Sequence, residues 1–196
     1  MGTATYDPRV ALIIVDVQND FADPAGSLYV KGGEDVVPVI NAQIVTAKAA
    51  GARLAYTADW HPGSTPHFQK DGGIWPVHCV GDTWGAEFHP ELDVDGPVVR
   101  KGTNGEDGYS GFTMLDPVTS EPSRTPLAEM LTGWNIDRIV VVGLATDYCV
   151  KATALDGIAL GFGVQLLTGA VRAVDLSDGD GGRALAHVEA AGGELV

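Results

Sequence analysis

A chain of 196 residues, 45% hydrophobic and 19% charged, has the length and composition of one soluble globular domain with a sizeable core. Its formal net charge of −14 excludes nucleic acid and anionic membrane surfaces as partners, because both need clustered Lys and Arg that this sequence lacks, and leaves a small molecule or a protein. No apolar run approaches the roughly 18 residues of a membrane span, no leader-like segment opens the chain, and Cys79 and Cys149 are the only cysteines, so a cytoplasmic protein with reduced thiols is expected.

Val10–Val15 is a short continuous apolar run, the pattern of a strand buried on both faces, and it ends in Asp16. From Glu34 to Ala50 the residues Val36, Val37, Ile40, Ile44 and Ala47 fit one helical face, with Pro38 tolerable near the first turn and Gly51 as the stop. A second strand over Arg53–Ala58 ends in Asp59. Residues 60–96 then turn to Gly, Pro, His and Trp without a sustained period, and so long a loop in a compact domain is usually functional. Pro97–Arg100 reads as a short strand delivering Lys101, followed by a second Gly-rich loop to about Pro122. Thr125-Pro126 caps a helix that places Leu127, Met130 and Leu131 on one face.

The run Ile139-Val140-Val141-Val142 stops at Gly143, after which Val150, Ala154 and Ile158 recur at helical spacing. Cys149 therefore falls at a strand-to-helix junction, where unpaired N–H groups and the helix dipole favour an anion, lower a thiol pKa and offer an oxyanion site. A small packed core residue is the alternative reading of the same position. A strand at Val164–Leu167, a helix from about Asp180 to Ala191 and a last strand at Glu194–Val196 complete the pattern. Alternating strands and helices predict a single α/β domain with a parallel sheet covered on both faces.

Ligands of such sheets bind beyond the carboxyl ends of the strands, and Asp16, Asp59, Lys101 and Cys149 all fall there. Singly, the carboxylates could be turn or cap residues and the lysine a solvated one; four polar endings on apolar strands point to a site. A thiol attacking a carboxamide must lose a proton and the departing ammonia must gain one, so Asp16 beside Cys149 can serve as base and then acid, with the Lys101 ammonium favouring thiolate. Asp59 and His61 lie on one side of an extended backbone, and three of the five histidines, His61, His67 and His78, follow Asp59 closely, a set suited to a borderline divalent metal. Loop histidines are also ordinary solvated residues. His89 and His187 have no matching context, and Cys79 reads as a packed thiol.

Seven segments, in order over nearly the whole chain, resemble the nicotinamidase/pyrazinamidase family of the isochorismatase-like, cysteine hydrolase superfamily. They are Val15-Asp16-Val-Gln-Asn-Asp-Phe21, Asp59-Trp-His61 with His67, Trp75-Pro-Val-His78-Cys, Gly-Ala-Glu-Phe-His89-Pro, Arg100-Lys101-Gly, Tyr109-Ser-Gly-Phe112 and Gly143-Leu-Ala-Thr-Asp-Tyr-Cys149-Val. The resemblance implies a six-stranded parallel sheet flanked by helices on both faces, Asp16, Lys101 and Cys149 as the catalytic triad, and Asp59, His61, His67 and His78 around one zinc, iron or manganese ion. It also implies a cis peptide between Leu144 and Ala145, an oxyanion hole from the N–H groups of Ala145 and Cys149, and a substrate pocket involving Phe21, Trp75, Leu144, Tyr109 and Tyr148. Two departures stand out: the Gly-Thr-Asn-Gly-Glu-Asp-Gly segment before Tyr109 varies in length among relatives, and Tyr148 stands where many have histidine. The activity implied is hydrolysis of nicotinamide to nicotinate and ammonia through a Cys149 thioester, with pyrazinamide as a further substrate. The rival readings are another superfamily amidase acting on a carbamoyl or ureido compound, or a noncatalytic metal-binding α/β domain.

Overall fold

Every residue of β1 (Val10–Val15) is buried, and the alternation of a strand explains how so apolar a segment is satisfied on both sides. Val10, Leu12 and Ile14 enter one hydrophobic core and Ala11, Ile13 and Val15 a second on the opposite face. The computed structural model describes residues 4–196, and in it β1 pairs in parallel with β2 (Arg53–Asp59) on one side and β6 (Arg138–Leu144) on the other. With β3 (Val98–Lys101), β7 (Gly163–Arg172) and β8 (Glu194–Leu195) the sheet has six strands in the order β3-β2-β1-β6-β7-β8, each neighbouring pair parallel.

Helices cover both faces, giving the three-layer arrangement that the sequence implies. α2 (Val36–Ala49) buries Val36, Val37, Ile40, Ile44 and Ala47 in the first core, the same five positions that the helical period selects. α3 (Leu127–Gly133), α4 (Lys151–Ala159) and α5 (Asp180–Ala190) contribute Leu127, Leu131, Ala154 and Val188 to the second. Among the described residues no helix is long and apolar enough to cross a membrane.

The strand order sets the position of the site. The chain leaves β1 for β2 and β3 on one side and returns to β6 on the other, so β1 and β6 flank the topological switch point. Gly143 allows the close approach there: it lies at φ +113°, and a Cβ on it would sit 2.1 Å from the Val15 carbonyl oxygen.

Five local features differ from the sequence expectation. Lys101 is the last residue of β3 rather than the first beyond it. A short α1 (Asn19–Ala22) follows β1 directly, and β7 continues to Arg172 across Thr168 and Gly169, which interrupt its apolar run. The second Gly-rich loop holds an antiparallel hairpin of β4 (Thr113–Leu115) and β5 (Pro122–Arg124); its residues are exposed or half-exposed, so no apolar alternation announces it. Between β6 and α4 the residues Thr146–Val150 form a π turn, and Cys149 lies inside it.

Candidate active site

Four strand ends converge through Lys101. Asp59 and Lys101 are direct register partners on β2 and β3, Asp16 follows β1 at φ +49°, and Cys149 rises from the turn after β6. The Lys101 Nζ lies 2.6 Å from Asp16 Oδ2 and 2.9 Å from Asp59 Oδ1, and donates toward the Tyr109 carbonyl oxygen at 3.2 Å and Cys149 Sγ at 3.6 Å. Asp16, Asp59 and Cys149 each place a ligand atom within 4.8 Å of the others. Lys101 is 1% exposed and Asp16 0%, so these are dry interactions, in which a charge needs a partner. Thr57 completes the Asp16 environment by donating to Oδ1 at 2.5 Å.

Burial and the neighbouring charges compete over the protonation states. It favours an uncharged Lys101, but Asp16 and Asp59 outweigh it and hold the ammonium well above its ordinary range. Asp59 is also pushed up by burial, yet Lys101, His61 and His78 bring its carboxyl below the usual carboxylate range. Asp16 stays raised because burial exceeds the pull of Lys101, with the Asp59 charge adding to it. Burial likewise drives the Cys149 thiol well above its ordinary value, against the opposing pull of Lys101. This corrects the expectation of a thiol lowered by its helix terminus: desolvation is the larger effect, and the resting group is a thiol that needs a base in contact.

Lys101 therefore binds the site mechanically as well as electrostatically. Replacing it with alanine leaves two buried carboxylates without their cation, and Lys101→Ala is expected to cost about 3–5 kcal/mol of stability. Urea denaturation of the metal-free protein measures this, and a loss below about 1 kcal/mol would contradict the ion-pair geometry.

Beside this cluster, ring nitrogens of His61, His67 and His78 lie within 4.8 Å of one another. The His78 Nδ1 is 2.8 Å from the Pro76 carbonyl oxygen, so it carries the proton and leaves the Nε2 lone pair free. His67 is set the same way, with Nδ1 2.8 Å from Asp107 Oδ1. Neither His61 ring nitrogen has a hydrogen-bond partner, although the residue is only 4% exposed. Burial lowers the His61 pKa to about 4 and also lowers that of His78, keeping both in the neutral form a metal requires. Orphaned buried nitrogens are costly, and three imidazoles with ring nitrogens this close together fit a divalent cation. Asp59 stands at the edge of this set, with Oδ2 3.9 Å from His61 Nε2 while Oδ1 faces Lys101. It thus joins the histidine side to the cysteine side.

The histidine loop is held by groups that the sequence reading did not single out. Gln18 Nε2 donates to the Asp59 and Ala86 carbonyl oxygens, its Oε1 accepts from the Asp59 N–H, and Asp20 Oδ2 accepts from the Cys79 N–H. Gly102 packs against the imidazole of His61, where a Cβ would lie 2.6 Å from Nδ1. Cys79 is the packed thiol expected of it. His89 and His187 stand outside the cluster.

One cavity opens onto both groups: Asp59, His67 and His78 line it together with Ala145 and Cys149. Phe21, Trp75, Tyr109 and Tyr148 form aromatic walls, and Leu28, Val30 and Val174, which carry no motif, complete them. Trp75 Nε1 donates to Tyr109 Oη at 3.0 Å, and the Tyr148 ring meets Trp75 edge-on at 4.9 Å. Asp147 anchors the Val174 wall by accepting from the N–H groups of Val174 and Asp175, both at 2.9 Å. Leu144 is the correction: the strand alternation of β6 turns its side chain into the first core with Val140 and Val142, fully buried and away from the cavity lining. The Leu144–Ala145 peptide is cis. The Ala145 carbonyl oxygen accepts from the N–H groups of Tyr148 and Val150, both at 3.1 Å, and passes over that of Cys149.

A thiol held against a carboxylate and an ammonium at the switch point of a parallel sheet defines a cysteine hydrolase of the isochorismatase-like type. The Isochorismatase domain family matches residues 10–196, and the chain belongs to that family. It is 35% identical over 206 residues to the nicotinamidase of Escherichia coli K12, covering 96% of this chain and 94% of that one. The crystal structure of a Pyrococcus horikoshii pyrazinamidase in complex with zinc superimposes with a TM-score of 0.86 at 40% identity, covering 96% of this chain and 99% of that chain. PnC1 from L. infantum, solved in complex with nicotinate, gives a TM-score of 0.86 at 37% identity over 98% of this chain and 95% of that one.

Proposed function

We propose that this protein is a metal-dependent nicotinamidase that hydrolyses nicotinamide to nicotinate and ammonia, and that it accepts pyrazinamide in the same way. The observation that carries this reading is the shared cavity, lined by Asp59, His67 and His78 of the histidine cluster together with Cys149. Asp59, His61, His67 and His78 hold the ion, and three imidazoles with a carboxylate suit zinc. When bound, it supplies a Lewis-acid contact for the pyridine nitrogen, directly or through its water, and so orients the ring. Phe21 and Trp75 pack against the ring faces, and Tyr109 and Tyr148 close the outer wall.

Asp16 takes the Cys149 proton as sulfur attacks the carboxamide carbon, and Lys101 holds the carboxylate in place and favours the thiolate as it forms. The N–H groups of Ala145 and Cys149 receive the developing oxyanion; the Ala145 carbonyl oxygen accepts from Tyr148 and Val150 rather than from Cys149. Asp16 then returns the proton to nitrogen, the C–N bond breaks, and ammonia leaves a thioester on Cys149. Water, deprotonated by Asp16, adds to the thioester; the C–S bond breaks, releasing nicotinate and restoring the thiol.

The direct test incubates purified, zinc-loaded protein with nicotinamide, pyrazinamide and a panel of carbamoyl and ureido compounds, following ammonia and acid. Equimolar nicotinate and ammonia are expected. Turnover of a carbamoyl compound but neither pyridine nor pyrazine amide, with metal verified by elemental analysis, would move the reading to another amidase.

A further inference from the structure

We infer that Asp107 is a positioning residue for the metal centre, its carboxylate fixing both the tautomer and the direction of the His67 ring. The inference rests on the reading of His61, His67 and His78 as metal ligands. A carboxylate only accepts, so Asp107 Oδ1 at 2.8 Å requires the proton on His67 Nδ1 and leaves the Nε2 lone pair for the ion. His78 obtains the same setting from the Pro76 carbonyl oxygen two residues away, and His61 obtains it from no hydrogen bond at all. His67 alone depends on a charged group from a different loop.

That group is itself held. The Gly108 N–H donates to Asp107 Oδ1 at 2.8 Å, and the Asp107 backbone exchanges both of its hydrogen bonds with Leu115, the last residue of β4. The hairpin thus has a role the fold does not otherwise require: it presents a carboxylate to the histidine loop. The His67 carbonyl oxygen accepts from the Trp75 N–H at 3.4 Å and the ring stacks on His61 at 5.0 Å, contacts that place the ring but do not set which nitrogen carries the proton. The Asp107 side chain is 46% exposed, so its pair with His67 contributes little to overall stability. A purely structural residue at this exposure and a residue that orients a ligand therefore differ in what their removal changes.

The experiment measures zinc dissociation constants by competition with a chromophoric chelator for the wild type, Asp107→Ala, Asp107→Asn and His61→Ala, alongside thermal midpoints of the metal-free proteins. Asp107→Ala is expected to weaken zinc binding about 10–100-fold with a midpoint close to wild type. Asp107→Asn retains an acceptor for Nδ1–H and is expected to recover part of that loss, and it also serves if the alanine variant folds poorly. Zinc affinity within about threefold of wild type in Asp107→Ala, or equal losses in the asparagine and alanine variants, would overturn the inference. His61→Ala is expected to lose zinc outright; wild-type affinity in that variant would instead overturn the metal centre, and with it the role of Asp107.

Discussion

Cys149→Ala is expected to lower nicotinamide turnover by more than about a thousandfold while leaving zinc content and thermal midpoint near wild type. The sulfur lies 3.6 Å from Lys101 Nζ and lines the cavity, yet none of the three clustered histidines loses a partner when it is removed, and Lys101 keeps Asp16, Asp59 and the Tyr109 carbonyl oxygen. Asp16→Asn stops the same step from the other side, because the amide keeps the shape but cannot take the thiol proton. With burial holding Cys149 as a thiol, that loss is not offset by a preformed thiolate. Cys79→Ala is the control: it removes a packed thiol outside the cavity lining and should leave kcat close to wild type. Residual turnover above about a thousandth in Cys149→Ala, in an ammonia assay with metal content checked, argues against a covalent route. Loss of activity in folded Cys79→Ala would transfer the role to the other cysteine.

Metal removal is expected to act on positioning more than on nucleophilicity. Chelated protein, or His61→Ala, should lose at least about a hundredfold in nicotinamide hydrolysis while Cys149 still reacts with an alkylating agent, because Asp16, Lys101 and Cys149 are brought together by other strand ends. His61 is the suitable ligand to replace, since its nitrogens have no hydrogen-bond partner and their removal leaves no donor or acceptor stranded. Benzamide, which carries the carboxamide without a ring nitrogen, should be a poor substrate with or without metal. Equal rates on benzamide and nicotinamide in loaded enzyme, or full turnover after verified metal removal, would show that no ring nitrogen is being held.

The correspondence between sequence and structure is closest where the signal is local. Continuous apolar runs predict strands β1 and β6 because a strand buried on both faces favours apolar residues along its length, and reactive polar residues collect where such strands leave the core. For the same reason Asp16, Asp59, Lys101 and Cys149 are visible as chemistry at strand ends. The β4–β5 hairpin and the walls formed by Leu28, Val30 and Val174 leave no such trace: the hairpin is solvated, and the wall residues resemble any other apolar side chains. The motif places Leu144 at the pocket, yet strand alternation, a property of the folded backbone, turns it into the core.

By itself, this sequence determined the strands of the parallel sheet, the helices that cover them and the reactive groups at their ends, since each depends on the burial pattern of neighbouring residues. Only the tertiary structure decided which ends meet. The order β3-β2-β1-β6-β7-β8 brings Lys101 within 2.6 Å of Asp16, 85 residues earlier, makes Asp59 common to the lysine and the histidines, and sets the Asp107 carboxylate against His67. It also reversed the expected state of the thiol. A helix terminus acts within one turn and can be read locally, whereas desolvation is the sum of everything packed around Cys149, drawn from strands far apart in the chain.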